Sequence, residues 1–371
     1  MKRSPFYCDI QQAGPQWTVV QGWEVPNIFT SPREEHLAVR QRAGVFDWST
    51  TGEIEVQGPD ALRLVQKVIV NDAAGMPVNK VLYTTMLLED GSIFSDITVY
   101  RLGESHYMLM TAWGSNAANA RPEYEWLLRW SEGLNVAVTD VSSGSALLAV
   151  QGPLSRQILG SITEEPLDAL GYMWGMPAHV AGIRAYISRT GYTGELGYEV
   201  LVPAEHAHDL WEAITTAGKP YDMALCGMAA AFSLRLEKGY IMRLDFAGGR
   251  TPYEVGLGWT VKLDKGDFIG REALLRRKSA GFPEKLTLLQ LADDYVPASG
   301  DALLVEDKEV GKVTSAAFGH SVGHPLAFGY LPLEHAGEGT SVTVLDSAGG
   351  RHPARVVRRP LYDPEGTRLR M

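Results

Sequence analysis

Three carboxylates stand out by their setting. Glu195 lies in Ser188-Arg189-Thr190-Gly191-Tyr192-Thr193-Gly194-Glu195-Leu196-Gly197, Glu199 follows it, and Asp96 lies in Ile93-Phe94-Ser95-Asp96-Ile97. Three glycines within seven residues, Gly191 to Gly197, call for tight turns and close backbone approach. Apolar alternation resumes at Val200 and Val202, so the turn delivers Glu195 to the lip of a sheet. An acid fixed between glycines can accept two parallel hydrogen bonds from a flat ring with adjacent N–H groups. A glycine-rich hairpin carrying a solvated glutamate fits this segment equally well when it is taken alone.

Other chemistries have little to stand on. With 371 residues, 45% of them hydrophobic and 21% charged, the chain is long enough for two or three domains with cores of their own. A net charge of −10 argues against an extended nucleic-acid surface and fits a protein that handles a small ligand. No apolar run approaches the roughly 20 residues that span a bilayer, and no apolar stretch of a secretory signal follows Lys2-Arg3. The two cysteines, Cys8 and Cys226, form neither a disulfide framework nor a CxxC site, so a reducing cytoplasm is the expected home. The nine histidines are scattered, and no metal site is expected. No GxGxxG follows a strand, and neither GxxxxGK[ST] nor GxSxG occurs.

The elements that must position the carboxylates come in two copies. Glu55-Val56-Gln57-Gly58-Pro59 ends a strand and opens a helix with Leu62 and Val65; Val150-Gln151-Gly152-Pro153 does the same with Leu154, Ile158 and Leu159. A hairpin follows each, Val81–Leu88 with Ile93–Tyr100 in the first copy and Ile183–Arg189 with Tyr198–Val202 in the second. Aligning Gly91 with Gly194 sets Asp96 opposite Glu199. Helices over Glu123–Trp130 and Ala204–Thr216 close the copies, giving the split βαβ pattern twice. Two such sheets facing each other would leave a cleft for a ligand. Ser31-Pro32-Arg33-Glu34 reads as a capping box that opens a helix toward Arg42. A further helix runs from Gly227 to Gly239. Beyond Pro283, short alternating segments at 285–292, 302–305, 309–314, 326–331 and 340–345 read as a small antiparallel barrel.

The chain resembles the aminomethyltransferase (T-protein) family of the glycine cleavage system, and also the folate-binding C-terminal halves of dimethylglycine and sarcosine dehydrogenases. The likeness covers nearly the whole chain. It is carried by Gly22-Trp23-Glu24-Val25-Pro26, Gly44-Val45-Phe46-Asp47, Gly91 through Val99, Leu148 through Pro153 and Arg189 through Gly197. It continues in Ser233-Leu234-Arg235-Leu236-Glu237-Lys238-Gly239, Thr251-Pro252, Phe268-Ile269-Gly270-Arg271-Glu272 and Gly311-Lys312-Val313-Thr314-Ser315.

The resemblance implies an α+β fold of two ferredoxin-like split-βαβ domains and a C-terminal antiparallel β-barrel, arranged as a ring around a central folate hole. Residues 1–52 with 141–278 would form the first domain, 53–140 the second and 279–371 the barrel. It implies a tetrahydrofolate-dependent transferase that moves a methyl or methylene group from a small amine, ether or thioether to tetrahydrofolate. Asp96 takes the place of the catalytic aspartate, Glu195 that of the glutamate gripping the pterin, and Tyr83 that of a residue lining the folate channel. Tyr172, Met173 and Tyr240 fall where the family packs side chains beside the ligand. A carrier protein, or an oxidoreductase supplying an oxidised methylamine, is the expected partner.

Departures from the family pattern lie at Ala230-Ala231-Phe232, where the family has Ala-Arg-Asp, at Asp47-Trp48-Ser49-Thr50, where it has Asp-Val-Ser-His, and at Ala112, where it has Asn. The alternative function is a non-catalytic folate-binding factor that maintains iron–sulfur proteins. That group carries a cysteine where this chain has Asp267.

Overall fold

The computed structural model describes residues 1–112 and 121–371. Two compact units result, one of Met1–Met86, Ser95–Ala231 and Thr367–Met371, the other of Leu87–Phe94 and Phe232–Gly366.

In the first unit a short helix α1 (Tyr7–Gln12) precedes a hairpin of β1 (Gln16–Val20) and β2 (Trp23–Ile28). Helix α2 (Pro32–Gln41) begins at the predicted box: the Ser31 hydroxyl accepts from the Glu34 amide at 3.1 Å, with Pro32 at the first helical position. Its buried face holds His36, Val39 and a charged residue, Arg40. Strand β3 (Gly44–Asp47) follows.

The first repeat comprises β4 (Gly52–Gln57), α3 (Ala61–Val68), β5 (Val81–Leu87), β6 (Ile93–Gly103), β7 (His106–Thr111), α4 (Pro122–Ser131) and β8 (Ala137–Asp140). Its strands run in the order β5-β6-β7-β4-β8. The second comprises β9 (Ser145–Gln151), α5 (Ser155–Gly160), β10 (Gly175–Val180), β11 (Ile183–Ser188), β12 (Gly197–Pro203), α6 (Ala207–Gly218) and β13 (Ala224–Leu225), in the order β10-β11-β12-β9-β3-β13. With the added strands β5, β10 and β3 set aside, both sheets have the split βαβ arrangement.

That order corrects one expectation. The hairpin equivalent to β11–β12 is β6–β7, so the counterpart of Asp96 lies on β11, and Asp96 and Glu199 are not equivalent. The glycine turns at Gly91 and Gly194 are alike locally, but β5 is an edge strand outside the repeat.

Alternation along the strands divides the core. Leu148, Val150, Val200 and Val202 point to one face of the second sheet, against Leu159, Leu210 and Ile214. Leu147 and Leu201 point to the other, where they meet Val81, Tyr100, Met108 and Met110 of the first sheet.

The second unit carries helices α7 (Met228–Glu237, whose first turn lies in the first unit), α8 (Arg243–Phe246) and α9 (Arg271–Ala280). It ends in a closed barrel of β14 (Glu284–Leu291), β15 (Ala302–Val305), β16 (Lys308–Gly319), β17 (His324–Pro332), β18 (Ser341–Leu345) and β19 (Arg351–Val357). Five of these strands match the predicted segments. The sixth, β19, closes the barrel against β14, and its Pro353 and alternating arginines hid it from a reading by hydrophobic period. Leu289, Leu291, Leu303, Val313, Val344 and Val356 fill the interior.

The Ser233–Gly239 motif is an anchor in this unit. Ser233 donates to the Phe318 carbonyl at 2.6 Å, Glu237 accepts from the Ser321 amide at 2.8 Å, and Lys238 pairs with Asp363 at 2.8 Å. Gly91, with φ of +82°, lies so near α9 that a Cβ there would stand 2.8 Å from the Leu274 nitrogen. Among the described residues no helix is long and apolar enough to cross a membrane.

Candidate functional site

Strands β5 and β6 are neighbours, and their pairing brings together two residues 13 apart in sequence. The Tyr83 hydroxyl donates to an Asp96 carboxylate oxygen at 2.9 Å, and both side chains are half-buried. A phenol hydrogen bond orients a carboxylate and strengthens it as an acceptor beside developing positive charge. Tyr83 and Asp96, predicted separately, thus form one group.

The glycine turn has a different construction. Gln151, from the Val-Gln-Gly-Pro motif, lies buried across it, donating to the Thr190 carbonyl at 3.1 Å and accepting from the Thr193 hydroxyl at 2.7 Å. A Cβ on Gly191 would fall 2.0 Å, and one on Gly197 2.3 Å, from that amide group. These glycines exist to admit Gln151. Gly194, at φ of +81°, makes the left-handed turn that sends Glu195 inward.

Glu195 is not solvated. Its side chain is 0% exposed and is held by Arg40 at 3.2 Å and by the Nε of Arg368, which donates to Oε1 at 3.0 Å and Oε2 at 2.8 Å. Arg40 also donates to the Thr193 carbonyl at 2.8 Å, which fixes the turn to helix α2. The buried carboxylate accepts N–H groups from two guanidinium groups of the protein itself.

Met173 adopts a left-handed backbone conformation, φ +60°, which a side chain rarely takes. Its amide donates to the Arg189 carbonyl at 3.0 Å and its carbonyl accepts from Val81 at 2.9 Å, so the strained residue is stitched to β5 and to the glycine turn. Its side chain packs against the cluster of Val81, Tyr100, Met108, Met110 and Leu147. Tyr172 beside it is half-buried. Tyr240 belongs to the second unit, in the loop after α7, where its amide donates to the Arg235 carbonyl at 2.9 Å.

Glu199 is half-buried between the sheets. The Tyr100 hydroxyl, on the same strand as Asp96, donates to it at 3.2 Å, and the Thr190 hydroxyl also donates. Burial raises its pKa above the usual glutamate range. The bond from Tyr100 links β6 to β12.

Sequence reasoning missed Arg40, Gln151 and Arg368. Arg40 had a visible signal, since it falls on the apolar stripe of a capped helix, where a charge needs a buried partner. Gln151 was quoted only as a motif, and Arg368, 173 residues from its partner, gave no local sign. Carboxylates, a phenol, and the flat and soft side chains of Tyr172 and Met173 are residue types that suit a planar heterocycle edged with N–H donors, such as tetrahydrofolate.

The model of the family described as GCVT N-terminal domain matches residues 6–265, and that described as glycine cleavage T-protein C-terminal barrel domain matches residues 285–363. The chain is similar to the aminomethyltransferase of Streptomyces coelicolor, 39% identical over 367 residues that cover 98% of each chain. It is 40% identical over 370 residues to the aminomethyltransferase of Symbiobacterium thermophilum, covering 98% of this chain and 97% of that one. Among solved structures, the glycine cleavage system aminomethyltransferase T from Bartonella henselae superposes with a TM-score of 0.90 at 30% identity, covering 98% of both chains.

Proposed function

The chain belongs to the glycine cleavage T-protein (aminomethyltransferase) family, and from that membership we propose that it transfers an amine-linked one-carbon unit to tetrahydrofolate, with Asp96 as the reacting acid and Tyr83 as its partner. It is a tetrahydrofolate-dependent transferase. The full-length relatives named aminomethyltransferase favour an aminomethyl donor over an ether or thioether, and they do not favour the iron–sulfur maintenance role. The Bartonella protein is described as a component of the glycine cleavage system, and on that model a carrier protein presents the donor group to this chain.

The observation that carries the assignment is the 2.9 Å bond between Tyr83 and Asp96. Tetrahydrofolate supplies the nitrogen that takes up the one-carbon unit. As the carbon's bond to the accepting nitrogen forms and its bond to the donor amine breaks, Asp96 would steady positive charge on the carbon and pass the proton given up by the accepting nitrogen to the departing amine. Tyr83 fixes the orientation of that carboxylate, so no reorganisation is needed at the moment of transfer. Glu195 accepts the amino and ring N–H edge of the pterin, and Tyr172 and Met173 line the ligand.

The test is to mix the protein with tetrahydrofolate and a carrier-bound aminomethyl donor and to quantify 5,10-methylene-tetrahydrofolate. Asp96→Asn should abolish turnover and retain tetrahydrofolate binding. Turnover at the parent rate in that variant would remove Asp96 from the chemistry. The division into 1–52 with 141–278, 53–140 and 279–371 is likewise proposed, and limited proteolysis that cuts mainly inside those segments would count against it.

A further inference from the structure

Glu53, near the start of β4, is 1% exposed, and the strand register fixes which way it faces. It pairs with Met110 of β7, and Met110 pairs with Thr98 of β6, so the three share one face of the first sheet. Met110 packs there in one cluster with Leu147 of the second sheet. Asp96 precedes Thr98 by two residues on the same strand and therefore lies on that face as well. With strands about 4.8 Å apart and a rise of about 3.4 Å per residue, the backbones at Glu53 and Asp96 stand roughly 12 Å apart. Side chains reaching inward from both ends leave a gap of the size a flat two-ring ligand fills.

The Glu53 carboxyl is only half served by the protein. The Thr51 hydroxyl donates to Oε1 at 2.7 Å, and Oε2 has no partner among the described residues. A buried polar atom in that state is costly unless something else completes it. The charged and titratable groups around it are mostly acids. Asp140 comes from β8, held by Arg121 at 3.0 Å, and Glu199 comes from β12, where the Tyr100 and Thr190 hydroxyls already donate to it. Glu55 follows two residues along β4, beside His106 of β7. Burial, with Asp140 and Glu199 adding to it, raises the Glu53 pKa from 4.5 to about 8. At neutral pH the group is a carboxylic acid, and a carboxylic acid has an O–H to give.

We infer that Glu53 is a further binding residue of the folate site, its carboxyl donating a hydrogen bond from Oε2 to an acceptor atom of the ligand's planar ring. The inference rests on the reading of Asp96 given under the proposed function, and it holds whichever acid takes the ring's N–H edge. That ring carries a carbonyl and ring nitrogens besides its N–H groups. Ionised carboxylates serve only the N–H groups, so the acceptor atoms need a donor from the protein. Glu53 supplies one from the face that carries Asp96, and Thr51 holds it in place by the opposite oxygen. The ligand in turn completes the oxygen that the protein leaves without a partner.

The test measures tetrahydrofolate dissociation constants by calorimetry, from neutral to alkaline pH, for the parent chain, Glu53→Gln and Glu53→Met. Parent affinity should hold level to about pH 8 and then weaken by up to tenfold per pH unit, because the ionised acid has no proton to donate. Glu53→Gln keeps a donor, so it should bind as the parent does at neutral pH and lose that weakening. Any titration of the ligand itself stays in both curves. Glu53→Met has similar reach and no donor, and should bind about 10- to 100-fold more weakly, the loss expected when a buried acceptor is left unpaired. Glu53→Met binding like the parent, or parallel pH curves for the parent and Glu53→Gln, overturns the inference. Should Glu53→Met fail to fold, by circular dichroism and melting, the parent and Glu53→Gln curves decide alone. Turnover of Asp96→Asn, run beside these, separates the two readings. If Asp96→Asn is inactive and the Glu53 outcomes fail, only the role of Glu53 is lost; if Asp96→Asn turns over at the parent rate, the reading of Asp96 falls whatever Glu53 does.

Discussion

The Tyr83 hydroxyl donates to the Asp96 carboxylate at 2.9 Å across the neighbouring strands β5 and β6. The bond adds a charge-assisted contact to a group that otherwise sits at half exposure, and it exists only because an extra edge strand lies beside the repeat. Asp96 sits four residues before Tyr100, whose hydroxyl holds Glu199 beneath the glycine turn. Asp96 and the turn that presents Glu195 are thereby set on strands joined by this part-buried contact.

Tyr83→Phe removes that bond and keeps the ring. A hydrogen bond to a charged group contributes about 1.5–3 kcal/mol, so kcat should fall roughly 10- to 100-fold. The Michaelis constant for tetrahydrofolate should change little, because the lost contact orients the acid rather than the ligand. A variant with normal kcat and a raised Michaelis constant would make Tyr83 a wall of the channel only.

The two-fold repeat was legible because glycine and proline punctuate it identically, and five barrel strands were legible from alternation between turns. The pairing of Tyr83 with Asp96 was not, since it depends on a register between strands that neither residue signals alone. Glu195 was found by its glycines, but its partners were not, because Arg40 and Arg368 reach it from 155 and 173 residues away. The likeness of the Gly91 and Gly194 turns misled the alignment of the repeats. Local backbone demands can coincide where strand order differs.

Gln151 and Gly197 should behave as a coupled pair. Gly197→Ala puts a Cβ 2.3 Å from the Gln151 amide nitrogen, a clash of the kind that costs about 1–3 kcal/mol. Gln151→Ala strips partners from the Thr190 carbonyl and the Thr193 hydroxyl, again about 1–3 kcal/mol. In the double variant the clash is gone, so its loss of stability in urea should be smaller than the sum of the single losses. Simple additivity would mean that the glycine is not there to admit Gln151.

Stability should decline from acid toward alkaline pH through Glu53. Its carboxyl is buried, takes a hydrogen bond from Thr51 at 2.7 Å, and burial raises its pKa from 4.5 to about 8, with Asp140 and Glu199 adding in the same direction. Between those values the folded chain binds a proton that the unfolded chain has released. Stability is therefore fully present below about pH 4.5 and is lost as pH rises through about 8, at up to about 1.4 kcal/mol per pH unit. Glu53→Gln, neutral throughout, should flatten the fall in melting temperature measured from pH 5 to 8. An unchanged slope would mean that Glu53 titrates as it does in the unfolded chain.

The last prediction concerns the motif whose role proved to be architectural. Arg235, 2% exposed, pairs with Asp245, 0% exposed, at 2.8 Å. Its second terminal nitrogen donates to Ser315 at 2.7 Å, while Asp245 also accepts from Thr314 and Ser315, each at 2.6 Å. These contacts tie α7 and α8 to barrel strand β16, so the Ser-Leu-Arg-Leu-Glu-Lys-Gly run and the Gly-Lys-Val-Thr-Ser run are two halves of one polar core. Arg235→Ala leaves Asp245 buried without its cation and should cost about 3–5 kcal/mol. Arg235→Met combined with Asp245→Leu removes both charges and should lose less than Arg235→Ala alone, read from chemical denaturation midpoints. If the double variant is the weaker of the two, the pair contributes net stability beyond satisfying its own burial.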